Sequence, residues 1–143
     1  MEKFKGIGIK LTPQRLAVLG YLRGNTDHPS AEEIYQALLK QYPTLSFATV
    51  YTTLSTLKQK GWLSEITIEA GKKRFDPNTS DHNHLICTTC KKVVDIKISF
   101  NLALSDAAAS DFMITGSHVE FFGVCPECKK NNRFHKEEPQ QCA

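Results

Sequence analysis

The motif Cys87-Thr88-Thr89-Cys90 is followed, after 34 intervening residues, by a second motif of the same spacing, Cys125-Pro126-Glu127-Cys128. A structural Zn²⁺ ion prefers four tetrahedral ligands, and each Cys-x-x-Cys turn can present two thiolates on one side of a tight loop. We therefore expect the two motifs to close one zinc site that holds the second half of the chain together. Its predicted ligands are Cys87, Cys90, Cys125 and Cys128.

Two other uses of the cysteines stay open on the sequence alone. Disulfide bonds are rare in the reducing cytosol, and residues 1–5 lead into no apolar stretch of the kind found in export signals. A thioredoxin-like redox centre needs one Cys-x-x-Cys at the start of a helix after a buried strand, whereas this chain has two in similar surroundings. Both motifs favour structural zinc, and Cys142 in the C-terminal tail is interpreted as a free thiol.

The composition indicates a small globular protein of 143 residues, of which 41% are hydrophobic. That is enough for one or two small domains, but a unit of about 70 residues is marginally stable unless a metal or a partner supports it. No apolar run approaches the roughly 18 residues that a membrane span requires. We expect a cytoplasmic protein that is stabilised by zinc and by dimerisation.

Positive charge is concentrated in the first half of the chain. Residues 1–75 contain 11 Lys and Arg against 6 Asp and Glu, a net charge of +5, whereas residues 76–143 contain 7 against 9, a net charge of −2. Lys and Arg side chains that neutralise phosphates supply most of the non-specific affinity for nucleic acids. The first half is therefore the predicted polyanion-binding half, although ordinary solvated faces often carry an excess of this size.

Three short helices are predicted in the first half. Thr12 is a suitable N-cap before Pro13, which favours the first helical position. The stretch Ser30-Ala31-Glu32-Glu33 is a capping box, and a third helix is expected after Ser46. Pro43 is expected to end the second helix. The apolar positions with helical spacing that should face the core are Leu16, Val18, Leu19, Leu22, Ile34, Ala37, Leu38, Tyr42, Val50, Leu54 and Leu57.

A β-hairpin is predicted directly after the third helix. Residues 62–68 alternate in polarity, residues 69–72 suit a turn, and residues 73–75 return as a second strand. A hairpin that follows three helices is a wing. The pattern thus predicts a winged helix-turn-helix domain over residues 1–75.

The third helix carries a polar face that suits the major groove of DNA. Thr49, Tyr51 and Thr52 lie off its apolar stripe. Hydroxyl groups there are expected to contact phosphates or base edges, and the Tyr51 ring is expected to meet a thymine methyl group. An ordinary solvated helix is the alternative interpretation.

A small α/β fold is predicted between the cysteine motifs. Residues 92–98 and 118–124 alternate as strands, and a helix is expected over residues 100–112. Residues 129–136 are predicted to be a short helix or a solvated tail. Such strands pair readily across a dimer, with ordinary core packing as the alternative. The apolar candidates for that interface are Phe121, Phe122 and Leu102 or Leu104.

Four spaced motifs resemble those of one protein family. They are LTPQR at residues 11–15, HPSAEEIY at 28–35, SFATVYTTL at 46–54 and HNHLICTTC at 82–90. In this order they resemble the ferric uptake regulator (Fur) family of bacterial metal-dependent repressors. The resemblance extends over about residues 8–128.

The resemblance implies an α/β (α+β) fold with a winged helix-turn-helix domain at residues 1–75, a hinge at 76–81 and a dimerisation domain with a four-cysteine zinc site at 82–143. It also implies a homodimer that binds palindromic operator DNA and has no enzymatic activity. Lys10 is placed by the resemblance in the minor groove, and Arg15 near the DNA backbone or bases.

A second, regulatory metal site is also implied by the resemblance. The family pattern maps onto His28, Asp76, His82, His84 and Asp95. Three imidazoles and two carboxylates suit Fe²⁺, Mn²⁺ or Zn²⁺. His82 and His84 are two residues apart, so their side chains point to one face of an extended segment. Taken singly, each of these residues also has an ordinary use in a loop, a turn or a strand edge.

The signal that is sensed depends on smaller differences. Asp95 is similar to the aspartate of the peroxide-sensing branch (PerR), where iron sensors usually have glutamate. The additional site of many iron sensors is depleted here, since Asp81, Asn83 and Leu102 stand near its positions and only His118 remains. An ordinary strand or interface histidine is the other interpretation of His118.

The peroxide-sensing branch implies a particular mechanism. Regulatory Fe²⁺ would react with H₂O₂ and oxidise a ligand histidine, His28 or His82, whereas Mn²⁺ would allow repression with a weak response to peroxide. An iron-responsive or zinc-responsive uptake repressor is the nearest alternative within the family.

Two functions from other classes are less compatible with the sequence. A zinc hydrolase or deaminase needs an open zinc position beside a general acid/base, but four thiolates would fill the metal and His82 lacks a glutamate two residues on. A zinc interaction module that binds no DNA would not explain a basic three-helix half with a hairpin.

Overall fold

The computed structural model describes residues 10–69, 71–99, 111–114 and 119–131. The chain folds as two compact units, residues 1–81 and residues 82–143. The described elements of the first unit are α1 (Pro13–Leu22), α2 (Ala31–Leu39), α3 (Phe47–Gln59), β1 (Ser64–Glu69) and β2 (Lys72–Asp76). Those of the second unit are β3 (Asn83–Cys87), β4 (Val93–Ile96), β5 (Glu120–Gly123) and α4 (Pro126–Lys130).

Each helix of the first unit begins where the sequence predicted it. The hydroxyls of Thr12 and Ser46 each accept a hydrogen bond from the amide three residues on, at 3.3 and 3.1 Å. At α2 the capping box is complete, because Ser30 and Glu33 each accept a hydrogen bond from the other's amide. A cap of this kind contributes about 1 kcal/mol to helix stability.

The core of the first unit lies among its three helices. One predicted core position is wrong, because Ala37 is exposed. The buried stripe of α2 includes Ile34 and Leu38, and a residue next to Leu38 lies about 100° away around the helix axis. The buried members of the core are Val18, Leu19, Leu22, Ala31, Ile34, Leu38, Leu45, Val50, Leu54, Leu57, Leu63 and Phe75.

Helix α2 ends at Leu39, earlier than the predicted end at Pro43. The amides of Gln41 and Tyr42 both donate to the Leu38 carbonyl, and the amide of Leu45 donates to the Tyr42 carbonyl. Tight turns therefore replace the last helical turn, and they carry Leu45 into the core.

The hairpin expected after α3 is present. β1 and β2 pair antiparallel, with an irregularity between Thr67 and Glu69, and Ile66 and Phe75 are buried. Three helices followed by this hairpin form a winged helix-turn-helix arrangement. The predicted fold class is confirmed by it and by the α/β second unit described below.

β3 is the central strand of the sheet in the second unit. It pairs antiparallel with β4 and parallel with β5. The register aligns Leu85 with Val94 and Phe121, so these side chains form a row across one face of the sheet. They are 41%, 43% and 36% exposed, respectively.

Several predictions fall outside the described residues. The positions concerned are Leu102, Leu104, His118, His135 and Cys142. Most of the helix expected over residues 100–112 lies there too, and residues 111–114 are not helical. None of the helices in the described ranges has the length and apolar character needed to cross a bilayer.

Candidate metal centres and DNA-facing surface

The four predicted zinc ligands come together in the second unit. Cys87 is the last residue of β3, and Cys125 is the N-cap of α4, which begins inside the second motif. One sulfur from each of the four cysteines lies within 4.8 Å of the others. The sulfurs of Cys90 and Cys125 are 3.7 Å apart, close to the edge of about 3.8 Å in a tetrahedral zinc–sulfur site and far too long for a disulfide.

Backbone amides donate to the sulfurs of this cluster. The amides of Cys90 and Cys125 donate to the Cys87 sulfur at 3.5 and 3.3 Å, and the Cys128 amide donates to the Cys125 sulfur at 3.4 Å. Burial alone would raise the pKa of Cys87, but the amide donors outweigh it and lower that pKa to about 6. Burial and the neighbouring thiols raise the pKa of Cys128 to about 12.

This donor set fits a structural zinc ion. The loops already hold four sulfurs together and supply the amide hydrogen bonds that thiolates accept. A bound zinc ion would favour the deprotonated form of all four thiols, including that of Cys128.

A second group of metal-ligand types lies at the other end of β3. The Nε2 atoms of His82 and His84 are 2.9 Å apart, and they lie 3.4 and 3.5 Å from Oδ1 of Asp95. The antiparallel register of β3 and β4 places His84 opposite Asp95. Both histidine side chains are 5% exposed and that of Asp95 is 32% exposed. Two imidazole nitrogens and a carboxylate oxygen thus converge in a set that suits Fe²⁺, Mn²⁺ or Zn²⁺.

The first unit contains a buried histidine–carboxylate pair. Nε2 of His28 lies 3.6 Å from Oδ2 of Asp76, and the two side chains are only 1% and 2% exposed. Asp76 is the last residue of β2, and the Phe75 amide fixes that strand to the preceding loop by donating to the Pro29 carbonyl at 3.0 Å. Ionisable groups are seldom buried this deeply without a partner or a metal.

The backbone at His28 is in the left-handed region, with φ of 50°. A residue other than glycine is held there at a cost of about 1 kcal/mol or more, and such positions are concentrated at functional sites. The first turn of α2, which follows His28, is held to β2 by an ion pair. In it the Arg74 guanidinium of β2 donates a hydrogen bond to the Glu33 carboxylate.

The predicted DNA-facing residues of α3 differ in what their side chains contact. Tyr51 is 48% exposed, which suits a contact surface. The hydroxyl of Thr49 is hydrogen-bonded to that of Ser46 at 2.9 Å, and the hydroxyl of Thr52 donates to the Ala48 carbonyl at 2.6 Å. Both hydroxyls thus have partners within α3 and its N-cap, and their contact with phosphates or base edges stays a prediction.

Two predicted basic contacts lie at the start of the first unit. Lys10 is exposed, and the Arg15 guanidinium donates to the Lys10 carbonyl at 2.9 Å. Arg15 thereby links the segment before α1 to the helix itself, and the rest of its guanidinium stays available for other acceptors.

Glu65 is a residue whose role the sequence reasoning missed. One of its oxygens accepts a hydrogen bond from Lys58 of α3 at 2.9 Å and lies 3.1 Å from the Lys73 ammonium of β2. The hydrogen bond from Lys58 lowers the pKa of Glu65 by more than burial raises it. Glu65 in turn raises the pKa of Lys73. Opposite charges eight residues apart across a turn were the available signal for its pairing with Lys73.

Comparison with known proteins identifies the family. Residues 6–122 match the sequence model of the ferric uptake regulator family. The chain belongs to this family. The resemblance drawn from the four motifs is thus confirmed.

Similar proteins include three that are named for peroxide. The chain is 41% identical over 125 residues to the peroxide-responsive repressor PerR of Staphylococcus epidermidis, covering 86% of this chain and 83% of that protein. It is 39% identical over 132 residues to the peroxide operon regulator of Bacillus subtilis, covering 91% of each. A crystal structure of the Campylobacter jejuni peroxide stress regulator matches with 30% identity and a TM-score of 0.61, covering 89% of this chain and 97% of that one.

Proposed function

We propose that this Fur-family chain is a metal-dependent transcriptional repressor that responds to peroxide. The observation that carries the proposal is the convergence of His82, His84 and Asp95 within 3.5 Å of one another. Two relatives with about 40% identity over most of the chain are named as a peroxide-responsive repressor and a peroxide operon regulator, which supports the same assignment. The protein is proposed to act in the cytoplasm and to catalyse no reaction on a substrate.

Two kinds of metal have separate roles in this proposal. Zn²⁺ is bound by the four cysteines and is structural. Fe²⁺ or Mn²⁺ is regulatory, and its proposed ligands are His28, Asp76, His82, His84 and Asp95. Their nitrogen and oxygen donors suit these ions, whereas the sulfur cluster suits zinc.

Repression is proposed to depend on ligands from both halves of the chain. Residues 1–75 bind DNA, residues 76–81 are a hinge and residues 82–143 form a homodimer. A metal held by donors of both halves restricts the arrangement of the two DNA-binding domains in a dimer. Only that arrangement matches the two half-sites of a palindromic operator. A shift from 1:99 to 99:1 requires about 5.5 kcal/mol of differential metal affinity.

DNA contact is assigned to residues of the first unit. Lys10 is proposed to enter the minor groove, Arg15 to contact the DNA backbone or bases, and Tyr51 to lie against bases in the major groove. Thr49 and Thr52 lie on the same helix and are proposed to line that contact.

The dimer interface is assigned to the sheet of the second unit. Its row of Leu85, Val94 and Phe121 offers partly exposed apolar side chains, together with Phe122, which is 59% exposed. Burying such side chains against a second copy of the chain would stabilise a dimer.

The response to peroxide is assigned to the ligand histidines. Fe²⁺ held by these residues would supply the reduction of H₂O₂, in which one peroxide oxygen would be added to an imidazole carbon and the other would leave as water. His28 and His82 are the proposed targets. An oxidised imidazole is a poorer ligand, so the carboxylates and the remaining histidines hold the metal weakly and DNA is released.

DNA binding measured with Mn²⁺, Fe²⁺ and Zn²⁺, with and without H₂O₂, tests the proposal. We expect the Fe²⁺-loaded protein to lose its selected duplex after peroxide and the Mn²⁺-loaded protein to keep it. Mass spectrometry should then find one added oxygen on the peptide that contains His28 or His82. An Asp95→Glu variant is expected to respond less to peroxide while it retains metal-dependent binding.

Other results would identify other functions. DNA binding that requires iron or zinc but ignores peroxide would indicate an iron-responsive or zinc-responsive uptake repressor. No DNA binding with any of the three metals would indicate a zinc interaction module.

A further inference from the structure

The threonines of α3 use their hydroxyls inside the helix. Thr52, Thr53 and Thr56 each donate a hydrogen bond to the carbonyl four residues earlier, at 2.6, 2.7 and 2.8 Å. A hydroxyl has one proton, so a threonine bonded in this way cannot donate to another acceptor without losing its helical bond. The threonines of α3 therefore do not form a surface of free hydrogen-bond donors, although their residue type is polar.

Thr52 is the member of this group that is exposed. Thr53 is buried and Thr56 is half-buried. When Oγ1 turns back to the carbonyl of the preceding turn, the Cγ2 methyl is the γ-substituent that remains to face outward. Ala48, which provides that carbonyl, lies four residues earlier on the same exposed face and adds a second methyl group.

Aromatic rings extend this apolar face beside Thr52. Phe47 is 39% exposed and Tyr51 is 48% exposed, with ring centroids 6.4 Å apart. The Phe47 ring also packs edge-on against Tyr35 of α2 at 5.8 Å, which holds it in place. An outward surface made of methyl groups and ring faces is fitted to apolar groups.

The major groove of DNA offers one apolar group, the C5-methyl of thymine. The other groups that a threonine could meet there, or on the backbone, are mostly acceptors such as purine N7, thymine O4 and phosphate oxygens, and the amino groups of adenine and cytosine are the donors. Those acceptors require a donor, which Thr52 has committed to Ala48. Resting on the DNA binding proposed above, we infer that Thr52 is a specificity residue that recognises a thymine in the operator through methyl–methyl contact.

Paired substitutions separate the methyl group from the hydroxyl. Thr52→Val keeps a methyl group in place of Cγ2 and removes the hydroxyl, whereas Thr52→Ser keeps the hydroxyl and removes the methyl. Thr26→Ser makes the same chemical change at an exposed position of the loop between α1 and α2 and is the matched control. Zinc content and thermal unfolding establish that all variants are folded.

The DNA probe is the duplex that Mn²⁺-loaded wild-type protein selects from a library of randomised duplexes. Each thymine in it is replaced in turn by uracil, which lacks only the C5-methyl group. We expect one uracil position per half-site to weaken wild-type binding about fourfold, the effect of removing one methyl group from a buried contact. Thr52→Val should keep this penalty and bind the thymine duplex within about twofold of wild type.

Thr52→Ser should bind the thymine duplex about fourfold more weakly than wild type and be indifferent to uracil at that position. The inference is overturned if Thr52→Val loses affinity while Thr52→Ser keeps it, because the hydroxyl would then be the recognised group. Equal binding by both variants would overturn it as well. If the wild-type protein selects no duplex with any metal, the proposed repressor function is itself overturned. The two failures are distinguishable, because failure of the Thr52 inference alone leaves DNA selection by the wild-type protein intact.

Discussion

Both ligand groups of the second unit are attached to β3, yet they are built in different ways. Cys87 at the end of the strand is one of the four cysteines whose sulfurs form the first group. Three backbone amides donate to sulfurs of this group at 3.3 to 3.5 Å. His84 near its start belongs to a mixed group of nitrogen and oxygen donors in which the Asp95 side chain is 32% exposed. Backbone amides bond directly to ligand atoms of the first group, whereas the ligand atoms of the second group lie 2.9 to 3.5 Å from one another.

Because of this difference, the first group is suited to keeping its metal and the second to exchanging it. Soft thiolates supported by amides favour a metal that stays, and such a site contributes directly to folding. A partly exposed carboxylate and two imidazoles can gain and lose a metal while the sheet beneath them remains paired. One small fold can therefore hold one metal and sense another.

Of the substitutions that test this difference, removal of one cysteine sulfur should have the largest effect on metal binding and stability. Cys90→Ser is expected to abolish stoichiometric zinc binding and to lower the free energy of unfolding of the second unit by about 3 kcal/mol or more, because zinc binding is coupled to folding. Metal analysis and thermal unfolding measure both effects. His84→Ala is the control and should retain its zinc. A Cys90→Ser protein with full zinc content and wild-type unfolding would show that the cluster is not the structural site.

Removing one imidazole should affect only the second metal. His84→Ala is expected to weaken Mn²⁺ binding by about 100-fold, since a ligand is lost from a site that has few. Titration calorimetry on zinc-loaded protein measures this affinity. Asp81→Ala removes an exposed carboxylate from the same segment and should change it less than about twofold. Similar losses in both variants would contradict the assignment of His84 as a ligand.

The rigid sulfur loop contains a strained residue, and relieving that strain should strengthen it. Lys91 follows the first cysteine motif with φ of 63°, a conformation that favours glycine. Lys91→Gly is expected to stabilise the second unit by about 1 kcal/mol and to slow zinc loss to a chelator. Lys92→Gly, next to it but without a positive φ, should have the opposite sign. A chelation rate that rises in Lys91→Gly would refute the strain argument.

The smallest expected effect concerns the ion pair between Glu33 and Arg74, which joins α2 to β2 near His28 in the first unit. Burial would raise the pKa of Glu33, but the Ser30 amide and the Arg74 guanidinium outweigh it and lower that pKa below its ordinary 4.5. A carboxyl group with a lowered pKa stabilises the fold above its unfolded pKa, and the contribution is lost as the pH falls through the folded pKa. Because the group is half-exposed, Glu33→Gln should cost only about 0.5 kcal/mol at about pH 7.

Fluorescence of Trp62, the single tryptophan of the chain, reports on the first unit alone and can measure this difference. The gap between Glu33→Gln and wild type should be present at neutral pH and shrink below pH 4.5. A gap that stays constant over this range would mean that the charge of Glu33 is unimportant.

Local signals made much of the fold predictable from the sequence. The helix starts at Thr12, Ser30 and Ser46 are encoded by side chains that bond the amide three residues on, so the information is contained within four residues. The alternation of a strand likewise predicted that His82 and His84 would lie together, as their 2.9 Å contact confirms.

Non-local and rotameric features were not predictable in the same way. The placement of Asp95 opposite His84 depends on how β3 and β4 align, which neither strand encodes alone. The exposure of Ala37 depends on where the neighbouring helices pack, and the direction of the Thr52 hydroxyl depends on a rotamer choice. Sequence patterns identify such residues without giving their orientation.

The short length of β3 limits which changes this chain can tolerate. His84 and Cys87 are three positions apart on one extended strand, so they lie on opposite faces of the sheet. Inserting or deleting a single residue between them would turn one ligand to the wrong face and disable one of the two metal groups. Substitution at the exposed Leu85 leaves this parity unchanged. The strand should therefore vary in composition among relatives but never in length.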